Sequence, residues 1–156
     1  MTIAVRLKKL LDEADVPYRV EQHPVAYTAQ EVAQATHVSG KEFAKTVIVV
    51  ADGKHLMVAL PASHRIDLAA LKDYLGCKDV RLATEHEFAG EFPDCEIGAM
   101  PPIGSLYSLR LLAAAPLKED ETILFNAGSH REAILMKRED WERCASPEWG
   151  DFARPA

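Results

Sequence analysis

The chain has 156 residues, 48% hydrophobic and 27% charged, with a formal net charge of −6. That balance fits a globular protein with a real core and argues against coating nucleic acid through overall charge. No apolar run approaches the roughly 18 residues of a membrane-crossing helix, so none is predicted.

Met1 to Arg6, with Lys8 and Lys9 close behind, lacks the order of a secretory signal, so none is expected. Cys77, Cys95 and Cys144 are odd in number and far apart. This points to a reducing, cytoplasmic setting without a disulfide framework. No pair has metal-ligand spacing, so no metal is expected. Lys41, Lys45, Lys54, Arg65, Lys72, Lys78 and Arg81 fall in one half of the chain, interleaved with Glu42, Asp52, Asp67, Asp73 and Asp79. A local basic face and a mixed-sign solvated surface both fit that pattern.

Ile3, Leu7, Leu10, Leu11 and Ala14 follow the helical period, predicting a helix over 3–14 that Pro17 ends. Tyr18 to Val20 reads as extended. Thr28-Ala29-Gln30-Glu31 is a capping box that starts a second helix, and Ser39-Gly40 stops it. Thr46 to Val50 is β-branched throughout and suits a buried strand. Asp52-Gly53 is a hairpin turn, with His55 to Leu60 as the returning strand. Asp67 caps a third helix that ends near Gly76, with Ile66 and Leu71 placed as a staple. Lys78 to Leu82 reads as a short strand. Thr84-Glu85-His86-Glu87 is another capping box, whose helix Gly90 or Pro93 ends. Leu106 to Leu112, Thr122 to Phe125 and Ala133 to Met136 read as strands, with a turn at Asn126-Ala127-Gly128-Ser129. Asp140 begins a last short helix, and 147–156 reads as a loose tail. Without repeats, linkers or a βαβ rhythm, the chain is expected to be one α+β domain over 1–156 with a mixed, largely antiparallel sheet. No Gly-rich phosphate cradle precedes a helix, so no nucleotide cofactor is expected.

Gly98-Ala99-Met100-Pro101-Pro102-Ile103-Gly104 is the most constrained stretch. Proline fixes φ and glycine reaches angles that other residues avoid, which together give a stiff, sharply turned loop. Its N–H groups, such as those of Ala99 and Met100, can converge on an anionic oxygen. An ordinary rigid turn also fits the same residues. Lys45 precedes an apolar strand, either as a snorkelling edge residue or as a cation that positions a ligand. Gly128-Ser129-His130 follows another apolar strand, and His130 is either a surface turn residue or a proton donor near neutral pH. The cysteines read as small apolar fillers, and His86 between two glutamates reads as helix surface.

Four stretches carry a resemblance: Thr28-Ala29-Gln30-Glu31-Val32-Ala33; His37 to Thr46, with its Lys45-Thr46 step; Gly98 to Gly104; and Phe125-Asn126-Ala127-Gly128-Ser129. In this order they resemble the YbaK/ProX family of prolyl-tRNA synthetase-type editing domains. The resemblance covers nearly the whole chain. It implies a compact, barrel-like mixed domain that hydrolyses the ester joining a wrong amino acid to tRNA. It places the family lysine on Lys45, the Gly-x-x-x-Pro loop on Gly98 to Pro102, and a histidine of the last turn on His130. Thr46, Ala99, Met100, Pro101, Pro102, Gly128 and Ser129 become candidate substrate-binding residues. The implied partners are the acceptor end of an aminoacyl-tRNA and a prolyl-tRNA synthetase. No cofactor, no membrane and a monomer are implied. The implied amino acid is small, such as alanine or cysteine, on proline tRNA. A non-catalytic tRNA-binding or regulatory domain of the same fold is the alternative.

Overall fold

In a computed structural model, the structure describes residues 3–22 and 43–156. The predicted helix from Thr28 to Ser39-Gly40 lies outside the described residues. The chain begins with helix α1 (Ile3–Glu13) and strand β1 (Tyr18–Gln22). The hairpin β2 (Ala44–Ala51) and β3 (Lys54–Pro61) follows, then β4 (His64–Ile66), α2 (Leu68–Leu75) and β5 (Val80–Leu82). Next come α3 (Glu85–Phe88), β6 (Leu111–Ala114), β7 (Thr122–Ser129), β8 (Glu132–Lys137), α4 (Arg138–Ala145), β9 (Glu148–Gly150) and β10 (Ala153–Pro155).

The turn chemistry works as its residue types dictate. Asp52 and Gly53 take φ of 47° and 81° between β2 and β3, a two-residue hairpin connection. Asp67 caps α2 by accepting from the Ala70 N–H, and Gly76 ends it in the left-handed region. Thr84 and Glu87 form both bonds of the capping box at α3.

A five-stranded mixed sheet has the order β5-β2-β3-β6-β9, a three-stranded antiparallel sheet the order β1-β8-β7, and β10 pairs β4. Within the larger sheet, β3/β6 and β6/β9 are parallel. The fold is α+β with mixed sheet and flanking helices, but the expected barrel does not form. Among the described residues, no sheet closes or curls on itself, and the two larger sheets meet at a single parallel bridge, Phe43 with Leu124. Just past that bridge β7 carries a bulge, which bends a strand and interrupts its ladder.

The main core fills the space between the two larger sheets. It combines Ile48, Met57 and Ala113 with Phe125, Ile134 and Met136, and takes in Leu7 and Leu11 of α1 and Trp141 of α4. Burying each such large side chain contributes about 1.5–3 kcal/mol. A second cluster lies on the other face of the five-stranded sheet, where Leu71 of α2 and Phe152 cover Val49, Val58 and Leu60.

Three local expectations need correction. Leu106 to Leu112 is not one strand: a 3-10 turn spans Gly104–Leu106 and β6 begins only at Leu111. Leu109 N–H turns back to the Gly104 carbonyl, with Ser108 at φ 56°. Asn126 to Ser129 is not a turn, because β7 runs on to Ser129. The tail from Pro147 is not loose either. It supplies β9 and β10, and Phe152 is fully buried. Among the described residues, no helix is long and apolar enough to cross a membrane.

Candidate active site

The loop ahead of β6 is held from within. Gly98 sits at φ 84°, a left-handed angle natural to glycine. Ala99 N–H donates to the Glu96 carbonyl at 3.0 Å, and Ile103 N–H to that of Pro101 at 2.8 Å. The Trp141 indole N–H, fully buried, donates to the Pro102 carbonyl at 3.0 Å. Ala99, Met100, Pro101 and Pro102 are all buried, while Gly98 is exposed. The Ala99 N–H is thus already engaged. Among the described residues, the N–H groups of Gly98 and Met100 have no partner.

The bulge of β7 docks onto this loop. β7 and β8 pair Asn126 with Ala133 and then Ser129 with Glu132, so Ala127 and Gly128 are the extra residues. Gly128 takes φ 98°, which favours glycine. Its N–H donates to the Ala99 carbonyl at 2.9 Å, and its carbonyl accepts from Glu96 N–H at 2.8 Å. His130, at the tip of the β7–β8 turn, is buried, with Nε2 at 2.8 Å from the Ile97 carbonyl. A carbonyl only accepts, so Nε2 is the donor of this bond. A Cβ built on Gly98 would stand 3.7 Å from His130 Cε1. The exposed Gly98 and the His130 ring are therefore immediate neighbours. Ser129 Oγ accepts from the Arg131 N–H at 3.3 Å. A cleft of about 520 Å³ runs beside the bulge, lined by Cys95, Glu96, Gly128 and Ser129 among others. Burial pushes the Cys95 thiol up to about 12, which leaves it a thiol rather than a nucleophile.

Lys45 and Thr46 come from the start of β2, next to the bridge between the sheets. Lys45 is partly buried, and this desolvation lowers its pKa from the usual lysine value. Among the described residues, no carboxylate pairs with it. The Thr46 hydroxyl is buried without a hydrogen-bond partner. By strand alternation Thr46 faces the main core with Ala44 and Ile48, and Lys45 faces the other side with Phe43.

The structure thus sets Gly98 beside His130 and joins Gly128, with Ser129 next to it in the chain, to the loop through Ala99 and Glu96. It keeps Ala99 to Pro102 behind them as a buried support. Lys45 and Thr46 stand on the adjoining strand, across the Phe43–Leu124 bridge. Sequence reasoning gave no role to Trp141, which anchors the loop from α4. It gave none to Asn126 either, whose buried carboxamide oxygen has no partner. The position of Asn126 between an apolar strand and a glycine was the available signal. Among the described residues, no group of three or more His, Cys, Asp or Glu side chains is placed to hold a metal.

Comparison with known proteins gives these features a family. The aminoacyl-tRNA editing domain profile matches residues 23–144. The chain is similar to the Multifunctional Ser/Thr-tRNA deacylase ProXp-y of Escherichia coli (strain K12), with 30% identity over 97% of this chain and 93% of that protein. It is 26% identical to a proline--tRNA ligase of Bacillus mycoides (strain KBAB4) over 65% of this chain, a match that takes in 18% of the ligase. Its fold matches the crystal structure of hypothetical protein APE2540 with a TM-score of 0.86 and 20% identity, covering 96% of this chain and 99% of that one. The chain belongs to the YbaK/ProX family of aminoacyl-tRNA editing domains.

Proposed function

We propose that this chain is a trans-acting aminoacyl-tRNA deacylase, which releases a small, wrongly attached amino acid from tRNA by hydrolysing its ester. Proline tRNA is the proposed carrier. The similarity to a deacylase named for seryl and threonyl tRNA adds serine and threonine to alanine and cysteine as candidate amino acids. The observation that carries the reading is the docking of the Gly98 loop on the β7 bulge, with His130 held against Ile97.

An aminoacyl ester is already activated. Water attacks the carbonyl carbon, negative charge grows on the carbonyl oxygen, and the ribose oxygen leaves with a proton. Gly98 N–H, without a partner among the described residues and on a fixed loop, is a preorganised donor for that charge, and one such donor supplies about 3 kcal/mol. The Lys45 ammonium, partly desolvated and without a carboxylate partner among the described residues, adds positive charge from the adjoining strand or holds the terminal phosphate. His130, fixed by Ile97, orients the attacking water or the substrate amino group. With a net charge of −6, only the acceptor end of the tRNA docks, weakly and in a salt-sensitive way. A prolyl-tRNA synthetase is the proposed partner for holding the rest. Three free thiols support the cytoplasm as the place of action. Deacylation of proline tRNA charged with each candidate amino acid, by wild type and by Lys45→Ala and His130→Ala, tests the reading. Activity lost in both variants supports it. Activity unchanged in both removes these residues from the mechanism.

A further inference from the structure

Asn126 lies in β7 directly before the bulge and is 8% exposed. Its Oδ1 is buried without a hydrogen-bond partner. Among the described residues, no other group hydrogen-bonds its amide either. Leaving a buried acceptor unmade is costly, while an apolar residue of the same shape has no such cost. Nearly all buried polar groups are paired, so an unpaired one calls for a partner absent from the free protein.

The position of Asn126 identifies the partner. Leu124 of β7 bridges Phe43 in parallel. Asn126 is two residues past Leu124 and Lys45 two residues past Phe43, so both stand on the same face of neighbouring strands. Two residues further along β7, Gly128 N–H bonds the Ala99 carbonyl of the Gly98 loop. An oxygen acceptor calls for a donor. Lys45 has no acidic partner among the described residues, so a second cation beside it is disfavoured. The complementary group is a neutral hydroxyl. An aminoacyl ester of tRNA offers two sources: the free hydroxyl of the terminal ribose, and the side-chain hydroxyl of serine or threonine.

We propose that the Asn126 carboxamide oxygen accepts a hydrogen bond from a hydroxyl of the bound aminoacyl ester, which makes Asn126 a substrate-reading residue of this site. The inference rests on the deacylase reading above. A site built to bond a hydroxyl discriminates strongly against an analogue without it.

The test compares wild type with Asn126→Leu and Asn126→Asp on proline tRNA charged with serine or with alanine. Asn126→Leu lowers kcat/KM by about tenfold to a hundredfold, the effect of one lost buried hydrogen bond. Loss confined to the seryl ester assigns the side-chain hydroxyl. Equal loss on both esters assigns the ribose hydroxyl. Asn126→Asp, which keeps an acceptor, retains more activity than Asn126→Leu. Thermal unfolding separates this from a structural role, because removing an unpaired buried amide leaves the midpoint unchanged or raises it. Wild-type rates on both esters in a folded Asn126→Leu overturn the proposal. A wild type that hydrolyses neither of these nor the cysteinyl and threonyl esters overturns the deacylase reading instead. Binding of the non-hydrolysable 3′-serylamino and 3′-alanylamino 3′-deoxyadenosines to wild type and Asn126→Leu then decides the Asn126 proposal. Weaker binding by the variant supports it, and equal affinities overturn it.

Discussion

The backbone N–H of Gly128 donates to the carbonyl of Ala99 at 2.9 Å, joining the β7 bulge to the proline-rich loop. A second bond, Glu96 N–H to the Gly128 carbonyl at 2.8 Å, clamps the same glycine from its other side. Loop and bulge therefore act as one rigid unit, which holds the exposed Gly98 against the buried His130.

Two glycines of this loop separate catalysis from folding. Gly98→Ala places a Cβ at an ordinary 3.7 Å from His130 Cε1, but at φ 84°. The left-handed backbone costs about 1–2 kcal/mol. Re-aiming the Gly98 N–H lowers deacylation by about a hundredfold. Gly104→Ala drives a Cβ into the Leu109 carbonyl oxygen and costs more stability, about 3 kcal/mol. Urea unfolding and deacylation rates on the two variants check this ordering.

Lys45 is expected to be catalytically valuable and structurally unhelpful. Burial lowers its pKa because the fold disfavours the ammonium. This destabilisation is present at neutral pH and is relieved as pH rises through the lowered pKa towards the usual value of 10.5. Lys45→Met therefore keeps or raises the urea midpoint at pH 7 while deacylation falls by about a hundredfold. The alkaline loss of wild-type kcat/KM sets in below the ordinary lysine range.

Trp141 holds the loop through a hydrogen bond to Pro102. Trp141→Phe removes the indole donor and leaves the buried Pro102 carbonyl unpaired, at a cost of about 1–3 kcal/mol. The loosened loop lowers kcat more than it raises KM, because Gly98 sits four residues upstream on the same support. Steady-state kinetics on a charged minimal tRNA reads that split.

Acid stability depends on Glu87. Its carboxylate takes both Arg81 nitrogens at 2.7 Å and the Thr84 N–H at 2.9 Å. The arginine and the capping box bring its pKa from 4.5 down to about 2. A lowered carboxylate contributes stability above its unfolded value and loses it as pH falls through the folded one. The contribution is therefore full above pH 4.5 and fades towards pH 2. Glu87→Gln removes the fall in thermal midpoint that wild type shows across that window.

Local chemistry was legible in the sequence. Asp52-Gly53, Asp67 and Thr84 each announce a turn or cap, and the structure forms all three. The features that depend on distant partners were not legible. A glycine after an apolar strand reads the same for a turn as for a bulge, and only pairing with Glu132 and Ala133 makes Gly128 the latter. The tail after Pro147 reads as loose, yet Phe152 is fully buried in one cluster with Val58 and Leu60. Barrel closure followed from family resemblance, and pairing beyond the Phe43–Leu124 bridge decided against it. At the site, Lys45, Gly98 and His130 could be named from motifs. The bonds that join loop to bulge span about thirty residues and leave no periodic trace.

The central claim is that the fixed loop, with Lys45 on the adjoining strand, hydrolyses aminoacyl-tRNA. The most direct measurement is release of labelled alanine, cysteine, serine, threonine and proline from proline tRNA at limiting protein. Wild type, Lys45→Ala and Gly98→Ala are run together. Rapid release of at least one small amino acid, with proline spared and both variants collapsed, is the predicted result. Release no faster than the uncatalysed rate for every amino acid, or equal release by wild type and both variants, would contradict it.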